Sequence, residues 1–158
     1  MNHEVYLLPM TEEMYHEYFK EYENDPDLSM DPEDYVPYVY DKEKVDRYIE
    51  KQKVPDRRAF AIMVGIEQVG ELILKNIVER RSATLSLTMK NEAFKNKGYG
   101  TDAEKLAVAY VFGELDIPVL YADTILTNTR SQHVLEKVGF RFLREEGIFR
   151  YYSIERPE

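Results

Sequence analysis

The chain has 158 residues, of which 44% are hydrophobic and 13% aromatic, so wholesale disorder is excluded and a single domain with its own core is expected over residues 1–158. Its net charge of −9 argues against nucleic-acid binding, and no apolar run approaches the roughly 20 residues that span a membrane. The chain contains no cysteine, which excludes disulfides and thiolate chemistry and favours a cytoplasmic protein.

The first third of the chain predicts one strand and two helices separated by an acidic segment. A short strand covers residues 5–8, Thr11 is placed to cap the first helix, and Asp41 is placed to cap a second helix that ends near Gln52. Between the helices, residues 21–34 hold seven acidic side chains and two prolines, which is typical of an irregular loop. The first helix carries a stripe that fits either a core or a cleft wall and consists of Met14, Tyr15, Tyr18, Phe19 and Tyr22.

The remaining elements alternate in a way that indicates an α+β fold. Three consecutive strands with short connections predict an antiparallel meander, and a later strand reached through a long helix predicts a parallel pair in a mixed sheet. The predicted strands cover residues 60–64, 69–77, 83–89 and 119–125, and a closing hairpin covers 142–143 and 148–154. The predicted helices cover residues 101–115, with an inward stripe of Ala103, Leu106, Ala107, Tyr110 and Val111, and residues 131–138, ended by Gly139.

The segment from residue 95 to residue 101, KNKGYGT, lies between a predicted strand and a predicted helix and carries two glycines. Glycines at a helix N-terminus let backbone N–H groups converge on an anion, and the helix dipole favours negative charge there. Residues 80–100 also contain five basic side chains and one acidic one, so this part of an acidic protein predicts a positive patch for phosphate binding. A glycine-containing turn with solvated lysines is the alternative interpretation.

Two known phosphate motifs fit this segment poorly. The spacing of a Walker loop is absent. The pattern Gly98-x-Gly100-x-x-Ala103, with Asp123 lying 20 residues beyond it, does match the dinucleotide fingerprint. That fingerprint follows directly on a buried strand, whereas the polar stretch 90–97 intervenes here, and this context disfavours a dinucleotide.

Together with a second segment, the motif resembles the GNAT superfamily of acyl-CoA-dependent N-acetyltransferases. The family loop, (Arg/Gln)-x-x-Gly-x-(Gly/Ala), is similar to residues 95–100. Residues 128–140, NTRSQHVLEKVGF, are similar to the N-x-x-S-x-x-x-x-E-K-[LV]-G-F signature of the branch that acetylates ribosomal-protein N-termini, spermidine and related amines. The resemblance implies a GNAT-like mixed sheet flanked by helices and an acetyl-CoA-dependent N-acetyltransferase.

The resemblance also assigns cofactor contacts to the second half of the chain. Backbone groups of Thr88 and Met89 would bind the pantetheine arm, Asn128 would bind it near the thioester, and Ser131 would lie close to the sulfur. Backbone N–H groups of the loop would bind the pyrophosphate, and these belong to Lys95, Asn96, Lys97, Gly98, Tyr99, Gly100 and Thr101. The hydroxyl of Thr101 could add a further donor.

The catalytic residues match the family less well than the cofactor loop does. Many relatives have a tyrosine, acting as general acid, where this chain has Leu135, so Ser131 is the nearest substitute unless the thiolate leaves without help. An acidic residue that the branch often carries is missing from residues 83–85. We therefore expect Glu71, on the neighbouring strand, to be the candidate general base, directly or through water, with a solvated strand carboxylate as the alternative.

The uneven charge bears on the acceptor. Residues 1–50 carry 15 acidic and 4 basic side chains, and in this architecture the first two helices form one wall of the acceptor site. We expect a primary amine with extra positive charge, such as a polyamine, an aminoglycoside-like amine or a peptide N-terminus. A solvated acidic loop is the alternative explanation of the charge.

The remaining expectations concern partners and the alternative function. The amine is expected to attack directly in a ternary complex, since no cysteine can carry the acetyl group. No metal is expected, because His3, His16 and His133 are scattered without ligand spacing. A monomer or homodimer without nucleic-acid or membrane partners is expected, and the alternative function is an inactive CoA-binding sensor or interaction module.

Overall fold

The computed structural model describes residues 4–26 and 31–158 and confirms the predicted order of elements. The strands are β1 (Val5–Pro9), β2 (Arg58–Val64), β3 (Glu67–Val78), β4 (Ser82–Met89), β5 (Val119–Ile125), β6 (Arg141–Glu146) and β7 (Phe149–Glu155). The helices are α1 (Glu12–Glu21), α2 (Lys42–Gln52), α3 (Tyr99–Ala109, extended by a π turn at Tyr110–Glu114) and α4 (Thr129–Val138). The predicted acidic loop falls partly on residues 27–30, which lie outside the described residues.

A seven-stranded mixed sheet in the order β1-β2-β3-β4-β5-β7-β6 forms the centre of the protein. All neighbouring strands are antiparallel except β4 and β5, which are parallel as predicted. The parallel pairing runs only from Ser82 opposite Val119 to Leu85 opposite Ala122. Beyond these residues the C-terminal halves of β4 and β5 do not pair with each other, so the sheet opens between them.

Helices cover both faces of the sheet. On one face, Leu72 and Leu74 of β3 share a core cluster with Ala103 of α3 and Leu135 of α4. On the other face, Glu71, which directly precedes Leu72 and so points the opposite way, accepts a hydrogen bond from Tyr48 of α2. The predicted caps hold both helices of this second layer: Thr11 accepts from the backbone N–H of Met14, and Asp41 accepts from that of Lys44.

Helix α3 differs from its prediction in two respects. It begins at Tyr99, two residues earlier than predicted, because Gly98 takes a left-handed conformation with φ of 84° and starts the helix there. Its buried face also differs, since Leu106 is exposed whereas Glu104 is buried. A step of four residues turns the helix by about 400°, which is about 40° more than a full turn. The buried stripe through Ala103 and Ala107 therefore shifts around the helix towards the side of Glu104 and away from the side of Leu106.

Candidate active site

The opening between β4 and β5 contains two neighbouring cavities that share lining residues. The outer cavity, of about 180 Å³, lies between the loop before α3, the end of β4 and the segment that follows α1. The inner cavity lies between the unpaired halves of the two strands and is bounded by Ser86, Asp123 and Leu135. Four residues line both cavities, and these are Leu87, Glu104, Asn128 and Ser131.

The N-terminus of α3 forms one end of the outer cavity. Gly98 occupies the N-cap and has no side chain, so no side-chain cap covers the N–H groups of the first turn. Asn96, two residues earlier, is also left-handed with φ of 60°. All seven residues from 95 to 101 line this cavity, as the sequence predicts for an anion-binding loop.

The backbone groups of Thr88 and Met89 point to opposite sides of β4. The N–H of Lys90 donates to the carbonyl of Val69 at 2.8 Å, so by the alternation of an antiparallel strand the backbone groups of Met89 point away from β3, towards the opening. The carbonyl of Thr88 instead lies on the β3 side, beside Gly70, and accepts a 3.4 Å hydrogen bond from the Tyr18 hydroxyl. Both residues line the outer cavity, and Met89 is the one whose backbone faces it.

An ion-pair cluster closes one side of the outer cavity. The Lys95 ammonium lies 2.8 Å from Asp25 and 3.0 Å from Glu92. Arg130 of α4 lies 3.9 Å from each of the same two carboxylates. The Lys95 and Asp25 side chains are both about nine-tenths buried, so Lys95 ties the segment after α1 to the loop. The sequence predictions did not single out Arg130, although it lies within the second motif, and they treated Asp25 only as part of the acidic segment expected to attract the acceptor.

The predicted positive patch over residues 80–97 is wrong as a single surface. Arg80 and Arg81 lie in the turn between β3 and β4, at the opposite end of β4 from the loop. Lys90 is buried, lies 3.4 Å from Glu21 and packs over the ring of Phe94. The sequence distance between these bases is short, but the extended strand separates them in space.

Asn128 and Ser131 come together at the start of α4. Asn128 is the N-cap of this helix, and its side-chain oxygen accepts a 3.1 Å hydrogen bond from the backbone N–H of Ser131. Both residues line both cavities. Gly139 ends the helix with φ of 118°, as predicted, and Phe140 directly after it is buried.

Glu71 lies beneath α2, outside both cavities. The side chain is 5% exposed and accepts a 2.6 Å hydrogen bond from the Tyr48 hydroxyl, so the alternative of a solvated strand carboxylate is wrong. Burial raises the pKa of Glu71, and the hydrogen bond from Tyr48 opposes this effect. The predicted stripe of α1 packs around it, with Tyr15 in edge contact with Tyr48, while Tyr22 reaches the outer cavity.

Glu104 is a buried carboxyl group that the sequence predictions missed. Its side chain is 3% exposed, and burial raises its pKa to about 8. Its Oε2 atom has no hydrogen-bond partner among the described residues. No local signal marks this glutamate, because a polar residue beside an apolar helix stripe is ordinarily solvated.

Comparisons with known proteins identify the architecture around this cleft. A family model described as an acetyltransferase (GNAT) domain matches residues 4–141. The chain belongs to the GNAT acetyltransferase family. This membership confirms the predicted family, the acyltransferase class and acetyl-CoA as the acetyl donor.

Individual GNAT relatives resemble the chain over much of its length. It is 32% identical to the spermidine N(1)-acetyltransferase of Escherichia coli K12 over 110 residues, which cover 68% of this chain and 56% of that protein. The matches to the curated relatives span between 56% and 68% of their lengths.

Solved GNAT structures share the fold. The spermidine N-acetyltransferase of Vibrio cholerae, in complex with CoA and spermine, superposes with a TM-score of 0.72 at 16% identity, covering 96% of this chain and 95% of that one. RimL, a ribosomal alpha-N-protein acetyltransferase in complex with coenzyme A, superposes with a TM-score of 0.77 at 15% identity, covering 96% and 93%. At these identities the likeness shows the fold alone.

The described residues contain neither a membrane-spanning helix nor a cluster of metal ligands. Over residues 4–26 and 31–158, no helix combines the length and apolar character needed to cross a membrane. Within the same ranges, no group of three or more His, Asp or Glu side chains is arranged to hold a metal ion.

Proposed function

We propose that this chain transfers the acetyl group of acetyl-CoA to a primary amine by direct attack in a ternary complex. The observation that carries the proposal is a helix N-terminus without a side-chain cap, placed at the mouth of a cleft between two diverging parallel strands. Such a terminus favours a pyrophosphate, and such a cleft offers unpaired strand backbone to an extended arm.

The residues that line the cleft fit acetyl-CoA in chemistry. The backbone N–H groups of residues 95–101, with the Thr101 hydroxyl, would hold the pyrophosphate, and Met89 with its neighbour Thr88 would hold the arm. Asn128 and Ser131 would lie at the thioester end, where the two cavities meet. Acetyl-CoA bound there supplies the acetyl thioester, and the chain itself contains no cysteine to carry the acetyl group.

The acceptor is proposed to be an amine with extra positive charge. The name of the Escherichia coli relative, a spermidine N(1)-acetyltransferase, supports a polyamine-like acceptor. Glu23, an exposed acidic side chain that lines the outer cavity, would attract a cation. Asp25 is excluded from this role, because its carboxylate is buried against Lys95.

Glu71 is the proposed general base. Its raised pKa makes the carboxylate a stronger base, but the side chain lies outside both cavities. The amine proton would therefore reach Glu71 through the Tyr48 hydroxyl or through water. At the other end of the reaction, Ser131 is proposed to donate a hydrogen bond to the sulfur.

Binding and turnover test the proposal separately. A saturating ligand stabilises a protein by RT ln(1 + [L]/Kd), about 2.7 kcal/mol at 100 times Kd, so acetyl-CoA should raise the melting temperature by several degrees and NAD should not. Stabilisation by NAD alone would overturn the proposal. Release of the CoA thiol should then be measured with spermidine, an aminoglycoside, a basic peptide and a neutral primary amine. Binding without thiol release for any amine would indicate a sensor.

The charge of the acceptor site can be tested on Glu23 and Asp31, which are both exposed. The double variant Glu23→Gln, Asp31→Asn should raise the KM for a polycationic amine and leave the KM for a neutral amine unchanged. Glu114→Gln, an exposed charge removal at the far end of α3, serves as the control. An equal KM for the polycation in all three proteins would show that the acidic segment does not attract the acceptor.

A further inference from the structure

A carboxyl group that the mechanism above does not use lies in the wall shared by the two cavities. Glu104 follows Gly100 by one turn of α3 and lines both cavities beside Asn128 and Ser131. Its side chain is 3% exposed, and its Oε2 atom has no hydrogen-bond partner among the described residues. An unpartnered buried polar atom destabilises a fold, so its presence in a ligand cleft indicates that a ligand completes its hydrogen bonding.

The surroundings of Glu104 favour its neutral, protonated form. Burial is the cause that raises its pKa to about 8. The charged side chains that line the cavities with it come from the loop, from α4, from the segment after α1 and from β5, and they are Lys95, Lys97, Arg130, Glu23, Asp25 and Asp123. The positive charges of Lys95 and Arg130 would favour the ionised carboxylate of Glu104, but both are paired with Asp25 and Glu92 instead.

The inner cavity offers few other sources of a proton. Ser86, Thr124 and Ser131 contribute alcohol hydroxyls, which can hydrogen-bond to a sulfur but hold their own protons near neutral pH. Leu135 contributes only hydrocarbon. A thiol has a pKa of about 8.5, and proton transfer is most effective between groups of matched pKa.

We propose that Glu104 is a catalytic residue that donates a proton to the sulfur of the departing coenzyme A. The inference rests on the proposed function and deepens it. The amine nitrogen bonds to the acetyl carbon, the carbon–sulfur bond breaks, and the sulfur keeps the electron pair and takes the proton of the Glu104 carboxyl. The nitrogen of the ammonium gives up two protons, one before it attacks and one as the amide forms, and both pass through Glu71 to solvent. Glu104 then regains one proton from solvent. Acetyl-CoA and an ammonium thus yield an acetamide, the CoA thiol and one proton.

Kinetics of Glu104→Gln test the proposal, because glutamine keeps the shape of the side chain and cannot release a proton. We expect kcat to fall by about 10² to 10⁴ while the KM for acetyl-CoA changes only a few-fold. We also expect the kcat of the wild type to decline above about pH 8 and that decline to be absent in the variant. Glu114→Gln on the same helical segment is the matched control. A variant with the kcat and pH profile of the wild type would overturn the proposal.

Two readouts that do not depend on turnover complete the test. The infrared difference between wild type and Glu104→Gln at pH 7 should show the carbonyl band of a neutral carboxyl group, and its absence would overturn the proposal. The wild type should bind CoA more tightly than desulfo-CoA at pH 7. If the variant does not fold, this comparison still applies, and equal affinities would exclude contact with the sulfur. A wild type that releases no thiol with any amine would refute the proposed function, whereas the CoA comparison would still test Glu104.

Discussion

Gly70 lies where the carbonyl of Thr88 approaches β3, and the substitution Gly70→Ala tests how tightly this approach is held. A Cβ atom at position 70 would lie 2.6 Å from the Thr88 oxygen, 3.1 Å from Cδ1 of Ile62 and 3.2 Å from Sδ of Met89. Contacts shorter than 3.0 Å essentially do not occur for Cβ atoms, and a backbone oxygen in a paired strand cannot rotate away as a side chain can. The strands must therefore separate by at least about 0.4 Å.

Overpacking of this kind costs about 1–3 kcal/mol, which corresponds to a fall in melting temperature of roughly 2–12 °C for a domain of this size. The displaced segment includes Met89, whose backbone faces the outer cavity, so the affinity for acetyl-CoA should fall as well. The Kd rises about tenfold for each 1.4 kcal/mol of binding free energy that is lost. Thermal unfolding and calorimetric titration with acetyl-CoA measure the two effects.

Gly113→Ala is the matched control for this prediction. Its added Cβ would meet no atom within 4 Å, and both substitutions reduce the entropy of the unfolded chain equally. The control should therefore melt at or slightly above the temperature of the wild type. A Gly70→Ala protein that melts with the control and binds acetyl-CoA like the wild type would refute the reasoning.

Three further predictions concern the cleft. Gly98→Ala should destabilise the protein by about 1–2 kcal/mol and weaken acetyl-CoA binding, because φ at this position is 84° and an alanine pays for the left-handed conformation. A double-mutant cycle of Lys95→Ala and Asp25→Ala should give a coupling free energy above about 1 kcal/mol in urea unfolding, because this 2.8 Å pair is largely buried. Glu104→Gln should flatten the dependence of stability on pH. The folded-state pKa of Glu104, about 8, lies above its usual 4.5, so the stability that the neutral carboxyl contributes is complete below pH 4.5 and is lost as pH rises through 8.

A different result would contradict each of these three predictions. An unchanged affinity for acetyl-CoA in Gly98→Ala would place the pyrophosphate elsewhere. Additive effects of the two charge removals would show that Lys95 and Asp25 act independently. If the melting temperature falls by the same amount from pH 5 to pH 9 in the wild type and in Glu104→Gln, then Glu104 ionises normally in the folded protein.

The sequence by itself determined the features that depend on near neighbours along the chain. Thr11 and Asp41 predict helix starts because their side chains reach N–H groups three residues ahead, and the structure contains both hydrogen bonds. Gly98 and Gly139 mark the two ends of helices at which the chain becomes left-handed. The alternation of strand and helix also predicted the mixed sheet with its parallel pair, since a helical crossover requires it.

Only the tertiary structure decided which polar groups meet. Lys95 and Asp25 are 70 residues apart in sequence and in contact in the fold, so neither position alone indicates the pair. Arg80 lies close to the loop in sequence and at the far end of β4 in space. Glu71 and Glu104 are ordinary charged residues in the sequence, and each becomes a buried carboxyl group because strands and helices from distant segments remove water from it. Periodicity shows which face of a helix or strand is buried, but the residues that pack against this face are decided by the folding of the whole chain.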